Sequence, residues 1–197
     1  MMDLITLVLA CSLYSNNSIP YAMIETGSEN NPLLVTVDNE TKHFKTESEA
    51  IAYTQKQMAR GKHVGIGLMQ ISSQWFPKVG AHAADLFRPC KNLVVATQIM
   101  NKAQLQCQTL AERNPTLNVP ACMLSLYKTG NTQTGLVYAS TVLNYAEKHP
   151  FLPLAEKARD PGMLAAAKPK TDLSANTNET QTMDIESNTS ARSNKIS

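Results

Sequence analysis

The 197-residue sequence lacks the features that mark several large classes of protein. It has no apolar run of about 18–20 residues, the length that a membrane-spanning helix needs. Lys and Arg number 18 against 16 Asp and Glu, so the formal net charge is only +2. We therefore expect no integral membrane span and no nucleic-acid partner, because a nucleic-acid-binding surface needs clustered positive charge. Hydrophobic residues make up 43% of the chain, which is typical of a globular protein.

The cysteines also lack the spacing of a metal or redox motif. Cys11, Cys90, Cys107 and Cys122 form no CxxC pair, which argues against a zinc site or a thioredoxin-like site. An even number is compatible with two disulfides in an exported protein, with three possible pairings, or with four buried thiols. Helices flanking Cys107 and Cys122 would form a helical hairpin, which favours that pair and leaves Cys11 with Cys90.

The C-terminal part of the chain differs in composition from the rest. Among the 27 residues 171–197, 14 are Ser, Thr or Asn. Such a stretch cannot bury enough apolar surface to offset the entropy lost on ordering, so it is predicted to be a disordered tail. Residues 151–170 are predicted to be a linker, and residues 1–150 the folded domain. Residues 1–14 are interpreted as the first buried helix of that domain or as a signal or anchor segment, since no basic residue precedes the apolar stretch at 4–10.

Most of the domain has the pattern of helices. A capping box at residues 46–49 predicts a helix that stops at Gly61, and the β-branched segment Leu34–Val37 predicts a strand. Further helices are predicted from an N-cap at Ser18 to Glu25, from Pro120 to about Tyr127, and from Leu136 to Lys148. Another is predicted from an N-cap at Asn92, with an apolar face at 3–4 spacing formed by Leu93, Ala96, Met100, Ala103 and Cys107. The pattern predicts an α+β fold that is mainly α, with a small β element.

Glycine is scarce, and five of the eight glycines lie in three short stretches that also carry polar side chains. Three glycine-containing turns with polar side chains suggest that three separate parts of the chain form one groove. In the first stretch Glu25 ends an apolar helix, where partial desolvation would favour the protonated form that a general acid needs. The alternative is an ordinary glutamate at a helix end.

The other two stretches contain one polar side chain each that suits substrate recognition. Residues 65–71 (GIGLMQI) place Gln70 among apolar residues, and its amide could bind an amide or a sugar hydroxyl. The alternative is a buried Gln that caps backbone groups. Residues 126–135 (LYKTGNTQTG) offer Tyr127 to orient a carboxyl or bind substrate, or a plain helix stop at Gly130.

Four motifs follow one another over residues 10–145: ETG with a later NP at 25–32, GLMQI at 67–71, FRPCKNL at 87–93 and YKTGN at 127–131. In type, order and spacing these motifs resemble those of the lytic transglycosylases of the lysozyme-like superfamily. The most similar branch accompanies type IV secretion systems and conjugation machines.

The resemblance implies a function in the cell wall. Its substrate would be peptidoglycan glycan strands, cut at the β-1,4 bond between N-acetylmuramic acid and N-acetylglucosamine to leave a 1,6-anhydro product. Glu25 would be the catalytic acid and base, with no metal and no cofactor. The implied substrate-binding residues are Thr26, Met69, Gln70, Tyr127 and Asn131. The implied location is the periplasm, with secretion-system subunits as partners.

Two departures from the family pattern leave alternatives open. Lys128 stands where the family usually has Asn, and a cation near Glu25 would favour the charged carboxylate over the general acid. Residues 28–30 lengthen the loop after Glu25. One alternative is a catalytically weak wall-binding assembly factor, whose tail would recruit secretion subunits. Another is a hydrolytic muramidase, which would need a second carboxylate such as Asp38 or Glu40.

Overall fold

The computed structural model describes residues 3–151. The predicted tail, and the predicted linker apart from Phe151, lie outside the described residues. Seven α-helices are described: Leu4–Cys11 (α1), Ser18–Gly27 (α2), Glu47–Ala59 (α3), Phe76–Val79 (α4), Pro89–Arg113 (α5), Val119–Thr129 (α6) and Leu136–Lys148 (α7). Four strands are described: Leu34–Val37 (β1), Glu40–His43 (β2), Val64–Ile66 (β3) and Ile71–Ser72 (β4). The predicted α+β fold, mainly α with a small β element, is confirmed.

The four strands form one antiparallel sheet in the order β2–β1–β3–β4. β1 and β2 are joined by a tight hairpin in which Asp38 and Asn39 have φ angles of 49° and 70°. Asn and Asp tolerate this left-handed conformation, which matches the twist of a two-residue hairpin. Lys62 forms an ion pair of 2.6 Å with Asp38 at the hairpin. The turn between β3 and β4 therefore lies at the opposite end of the sheet from β2.

Helix α5 is the longest helix and forms the middle of the core. The predicted apolar face is confirmed, since its members are buried: Leu93, Ala96, Met100, Ala103 and Cys107. The prediction that Asn92 caps this helix is wrong. The helix begins at Pro89, whose fixed φ suits a helix start, and Asn92 lies fully buried inside the first turns.

The other helix ends follow local capping chemistry. Thr46 accepts a hydrogen bond of 3.3 Å from the backbone N–H of Glu49, as the capping box predicts. Ser18 is the first residue of α2 and not its cap, because Asn17 occupies that position. Asn118 caps α6 by accepting from the Ala121 N–H at 2.9 Å. The strand Leu34–Val37 and the helix Leu136–Lys148 lie where the sequence predicted them.

Helix α1 packs against α5 and α2 through its buried residues Leu4, Leu7, Val8 and Cys11. Residues 4–11 thus form a buried first helix of the domain. None of the helices within residues 3–151 combines the length and the hydropathy of a transmembrane span.

Two disulfides cross-link the helical core. Cys11 at the end of α1 is bonded to Cys90 at the start of α5, and Cys107 of α5 is bonded to Cys122 of α6. These are the two pairs that the sequence favoured over the other pairings. The first bond closes a loop with a sequence separation of 79 residues and the second a loop of 15.

Loop length predicts which disulfide contributes more to stability. Closing the longer loop should lower the entropy of the unfolded chain more, so the bond should contribute about 4.5 kcal/mol against about 3 kcal/mol for the shorter loop. We expect the double variant Cys11→Ala/Cys90→Ala to lose more free energy of unfolding than Cys107→Ala/Cys122→Ala in urea titrations. An equal or reversed order would contradict the prediction.

Candidate active site

The site is built around the turn between β3 and β4, formed by residues 67–70 and called here the Gln70 turn. Gly67 has φ 73° and Gln70 has φ 48°, so the turn begins and ends in left-handed backbone. The Gln70 N–H donates to the Gly67 carbonyl at 3.1 Å, and the Gly67 N–H donates to the Leu34 carbonyl at 3.0 Å. The turn is therefore fixed to β1 as well as to the strands that it joins.

Asn92 attaches this turn to helix α5. Its Oδ1 accepts from the Met69 N–H at 2.8 Å, and its Nδ2 donates to the carbonyls of Ile66 at 3.1 Å and Leu86 at 2.7 Å. A buried amide whose donors and acceptor are all used fixes its neighbours closely, because any movement would leave a polar group without a partner. The Asn of the FRPCKNL motif is therefore a support for the Gln70 turn.

Tyr127 supports the same turn from helix α6. Its hydroxyl donates to the Met69 carbonyl at 2.8 Å, and its own carbonyl accepts from the indole N–H of Trp75 at 2.8 Å. Burial raises the pKa of Tyr127 well above its usual value, and the nearby Tyr138 raises it further. The hydroxyl therefore remains a hydrogen-bond donor. In this structure it contacts Met69, where the sequence suggested a contact with a carboxyl or substrate.

Gln70 binds the sheet through both ends of its side-chain amide. Its Oε1 accepts from the Thr36 hydroxyl at 2.6 Å, and its Nε2 donates to the carbonyls of Gly67 at 2.8 Å and Leu34 at 3.3 Å. This is the backbone-capping alternative that the sequence left open. Met69 beside it is only 1% exposed. In this structure, then, Gln70 and Met69 hold the wall of the site rather than extend into it.

Glu25 lies half-buried in the last turn of α2, which packs against α7. Two tyrosines lie near it, Tyr21 one turn earlier and Tyr145 on α7. Loss of solvent contact raises the pKa of Tyr145, and the charge of the Glu25 carboxylate raises it further. The pKa of Tyr21 is raised by the same two causes. Neither tyrosine was predicted as part of the site. For Tyr145 the reason is that the sequence pattern predicts helix α7 but not which of its residues face α2.

Two cavities adjoin the end of α2. One, of about 200 Å³, is lined by Thr36, Asp38, Asn39, His63, Val64, Gly65, Gln70, Ser72 and Lys128. The other, of about 400 Å³, is lined by Thr26, Thr141, Asn144, Tyr145, Lys148 and His149. Thr26 lines the second cavity, and Gly27 is close to Gln70, which lines the first. The end of α2 therefore lines the second cavity and lies close to one lining residue of the first, and we call the two cavities together the groove.

Two further predicted residues lie at the end of α6 and just beyond it. Lys128 lines the first cavity and places its Nζ 5.3 Å from the centre of the Tyr138 ring. It forms no ion pair with Glu25 or with any other described residue. Asn131 is exposed, and its Oδ1 accepts from the N–H groups of Gln133 at 2.8 Å and Thr134 at 3.2 Å. Asn131 therefore shapes the loop before α7.

The lengthened loop after Glu25 is ordered by its own turn. Glu29 and Asn30 both have left-handed backbone, with φ of 52° and 61°. Asn31 ends the loop; its Oδ1 accepts from the Leu33 N–H, and its Nδ2 lies 2.9 Å from Nδ1 of His43 on β2. The insertion is thus fastened to the sheet.

One candidate for a second carboxylate is ion-paired and the other is exposed. Asp38 is ion-paired with Lys62, and Glu40 is exposed on the edge strand β2. Within residues 3–151, His, Cys, Asp and Glu side chains form no cluster of three or more that could hold a metal ion.

Comparison with known proteins identifies one family. The model of the family described as "Transglycosylase SLT domain" matches residues 17–140, more than half of the chain. The matched range contains Glu25, the Gln70 turn, Asn92 and Tyr127. No curated protein and no solved structure gives a significant match.

The contact between Gly67 and Asn92 predicts a stability difference between two glycines. A Cβ on Gly67 would collide with Asn92 and lie 2.5 Å from the Leu86 carbonyl oxygen, whereas one on Gly80, also left-handed, would meet nothing within 4 Å. Both Gly→Ala substitutions should cost about 1 kcal/mol for the backbone. We expect Gly67→Ala to cost about 2 kcal/mol more through overpacking. Urea unfolding of the two variants measures the difference; equal losses would contradict the role given to Asn92.

Proposed function

The chain belongs to the transglycosylase SLT domain family, and we propose that it is a peptidoglycan lytic transglycosylase with Glu25 as its only catalytic carboxyl. The observation that carries the proposal is the position of Glu25. It lies at the end of α2, half-buried, beside Tyr145, and the next residue, Thr26, lines the cavity of about 400 Å³. A cavity beside a half-buried acid gives space for the sugar units next to the bond that is broken.

The proposed reaction uses Glu25 twice. First its carboxyl protonates the β-1,4 glycosidic oxygen between N-acetylmuramic acid and N-acetylglucosamine, and the bond to the muramic acid C1 breaks. The acetamido oxygen of the same muramic acid stabilises the cationic carbon. The Glu25 carboxylate then takes the proton of the C6 hydroxyl, whose oxygen bonds to C1 and forms the 1,6-anhydro ring. Glu25 thereby regains the proton that it donated, and no water is consumed.

The one-carboxylate scheme agrees with the contacts of the two other candidate acids. A two-carboxylate glycosidase needs a second acid about 5–9 Å from the first. Asp38 is held by Lys62, and Glu40 is exposed on the edge strand. Tyr145 beside Glu25 offers a hydroxyl that can orient the carboxyl, and burial together with the Glu25 charge raises its pKa and keeps it protonated.

We further propose that the protein works in the periplasm and opens the wall for a type IV secretion or conjugation apparatus, with subunits of that apparatus as partners. Two disulfides support the location, because such bonds persist in oxidising compartments. The resemblance of the four motifs to the secretion-associated branch supports the role.

The catalytic proposal predicts the product and its dependence on one residue. Wild-type protein should release anhydromuropeptides from purified peptidoglycan, identified by mass spectrometry. Glu25→Gln keeps the shape but cannot donate the proton, so we expect its rate to fall by about 10² to 10⁴-fold. Glu29→Gln is the matched control, because Glu29 is exposed in the neighbouring loop and should leave the rate unchanged.

Each alternative gives a different result. Reducing-end muropeptides would show a hydrolytic muramidase. Binding to peptidoglycan without any product from the wild type would show an assembly factor. Full activity in Glu25→Gln would overturn the assignment of the acid.

The cellular proposal predicts a phenotype in cells that depend on this protein for DNA or protein transfer through the apparatus. Cells that carry Glu25→Gln should transfer at least about tenfold less than cells with the wild type, because the wall is no longer opened locally. Cells with Glu29→Gln should transfer normally. Counting transconjugants, or measuring secreted cargo, at equal protein levels checks this, and normal transfer with Glu25→Gln would contradict the wall-opening role.

A further inference from the structure

We propose that Lys128 binds a carboxylate on the muramic acid side chain of the glycan and makes the groove selective for strands that carry one. The inference rests on the proposed function, since it specifies which wall polymers the same groove accepts.

The first argument is the position of Lys128. It follows Tyr127 on α6. The Tyr127 hydroxyl donates to the Met69 carbonyl in the Gln70 turn, whereas Lys128 lines the cavity of about 200 Å³. Gly65, Gln70 and Ser72 line the same cavity. A group bound there would lie beside Gln70, whose side chain is close to Gly27, two residues after Glu25.

The second argument is the charge around the cavity. Its lining contains one carboxyl, on Asp38, and that carboxyl is already paired with Lys62 at 2.6 Å. Lys128 has no ion-pair partner among the described residues. His63, which also lines the cavity, can only add positive charge. The cavity therefore offers a cation whose charge no described protein group neutralises, and an anionic group of the substrate would complement it.

The third argument is the surroundings of the ammonium group. Burial lowers the pKa of Lys128, because a partly desolvated ammonium loses contact with water. The Tyr138 ring, 5.3 Å from Nζ, compensates for only part of that loss. A carboxylate in the cavity would supply a charge-assisted hydrogen bond, about twice as strong as a neutral one. Binding should therefore raise the pKa of Lys128 again.

Wall glycans carry such carboxylates in two forms. When the peptide is absent, the lactyl group of muramic acid ends in a free carboxylate. When the peptide is present, the lactyl group is an amide and the carboxylates lie on the peptide. Both sources present the same group to Lys128, and binding experiments can separate them.

The test compares soluble glycan strands of four kinds by calorimetry: peptide-bearing and peptide-free strands, each with carboxylates intact or converted to amides by carbodiimide coupling. The protein carries Glu25→Gln so that strands are not consumed. With Lys128 present, amidation should weaken binding about tenfold for at least one kind of strand, which identifies the source. With Lys128→Met, amidation should make no difference.

Two variants control for structure. Lys78 also lies over an aromatic ring, 4.6 Å from the centre of Trp75, but it is exposed and lines neither cavity of the groove, so Lys78→Met should keep the full amidation effect. Lys128→Arg retains the charge and should retain the preference. Loss of the preference in Lys128→Arg would contradict the inference even if Lys128→Met does not fold.

The outcomes separate this inference from the proposed function. An unchanged amidation effect in Lys128→Met, no amidation effect with Lys128 present, or no binding of any strand would overturn the inference. Selective binding by a wild-type protein that releases no anhydro product would leave the inference standing and overturn the catalytic proposal.

Discussion

The side-chain amide of Asn92 connects the helices of this domain to its sheet at one buried point. Three backbone groups that belong to no common element, the Met69 N–H and the carbonyls of Ile66 and Leu86, are bound by this one side chain. The connection works only because Gly67 has no Cβ, since that atom would occupy the space of the amide. The GLMQI and FRPCKNL motifs, separate in sequence, thus meet in one contact that sets the distance between helix α5 and the β3–β4 turn.

The geometry of the groove follows from that contact. Tyr127 fixes the Met69 carbonyl from α6, and Gln70 fixes the same turn to β1 through Thr36, Gly67 and Leu34. The Gln70 side chain then lies next to Gly27 at the end of α2, two residues after Glu25. The end of α2 and the wall of the first cavity therefore lie side by side, and the proposed reaction needs a carboxyl in a defined position, because it must serve two successive proton transfers.

The sequence predicted the elements that local chemistry decides. The capping box at Thr46, the strand at Leu34–Val37 and the apolar face of α5 depend on neighbours within a few residues. Asn92 was misjudged as a cap because its partners are 6 to 26 residues away, and nothing local distinguishes a capping Asn from a buried one. Tyr145 was missed for the same reason. Its place beside Glu25 results from the packing of α7 on α2, and the spacing of apolar residues predicts a helix but not its partner.

Two successive residues of the YKTGN motif, Tyr127 and Lys128, have different surroundings and different contacts. Successive helix residues point about 100° apart, so Tyr127 and Lys128 face different surroundings. Tyr127 is buried against the Gln70 turn, where a change would disturb the whole site. Lys128 lines the cavity and forms no hydrogen bond with the turn. The proposed contact of Lys128 with a substrate carboxylate therefore uses a side chain that the turn does not need for its own hydrogen bonds.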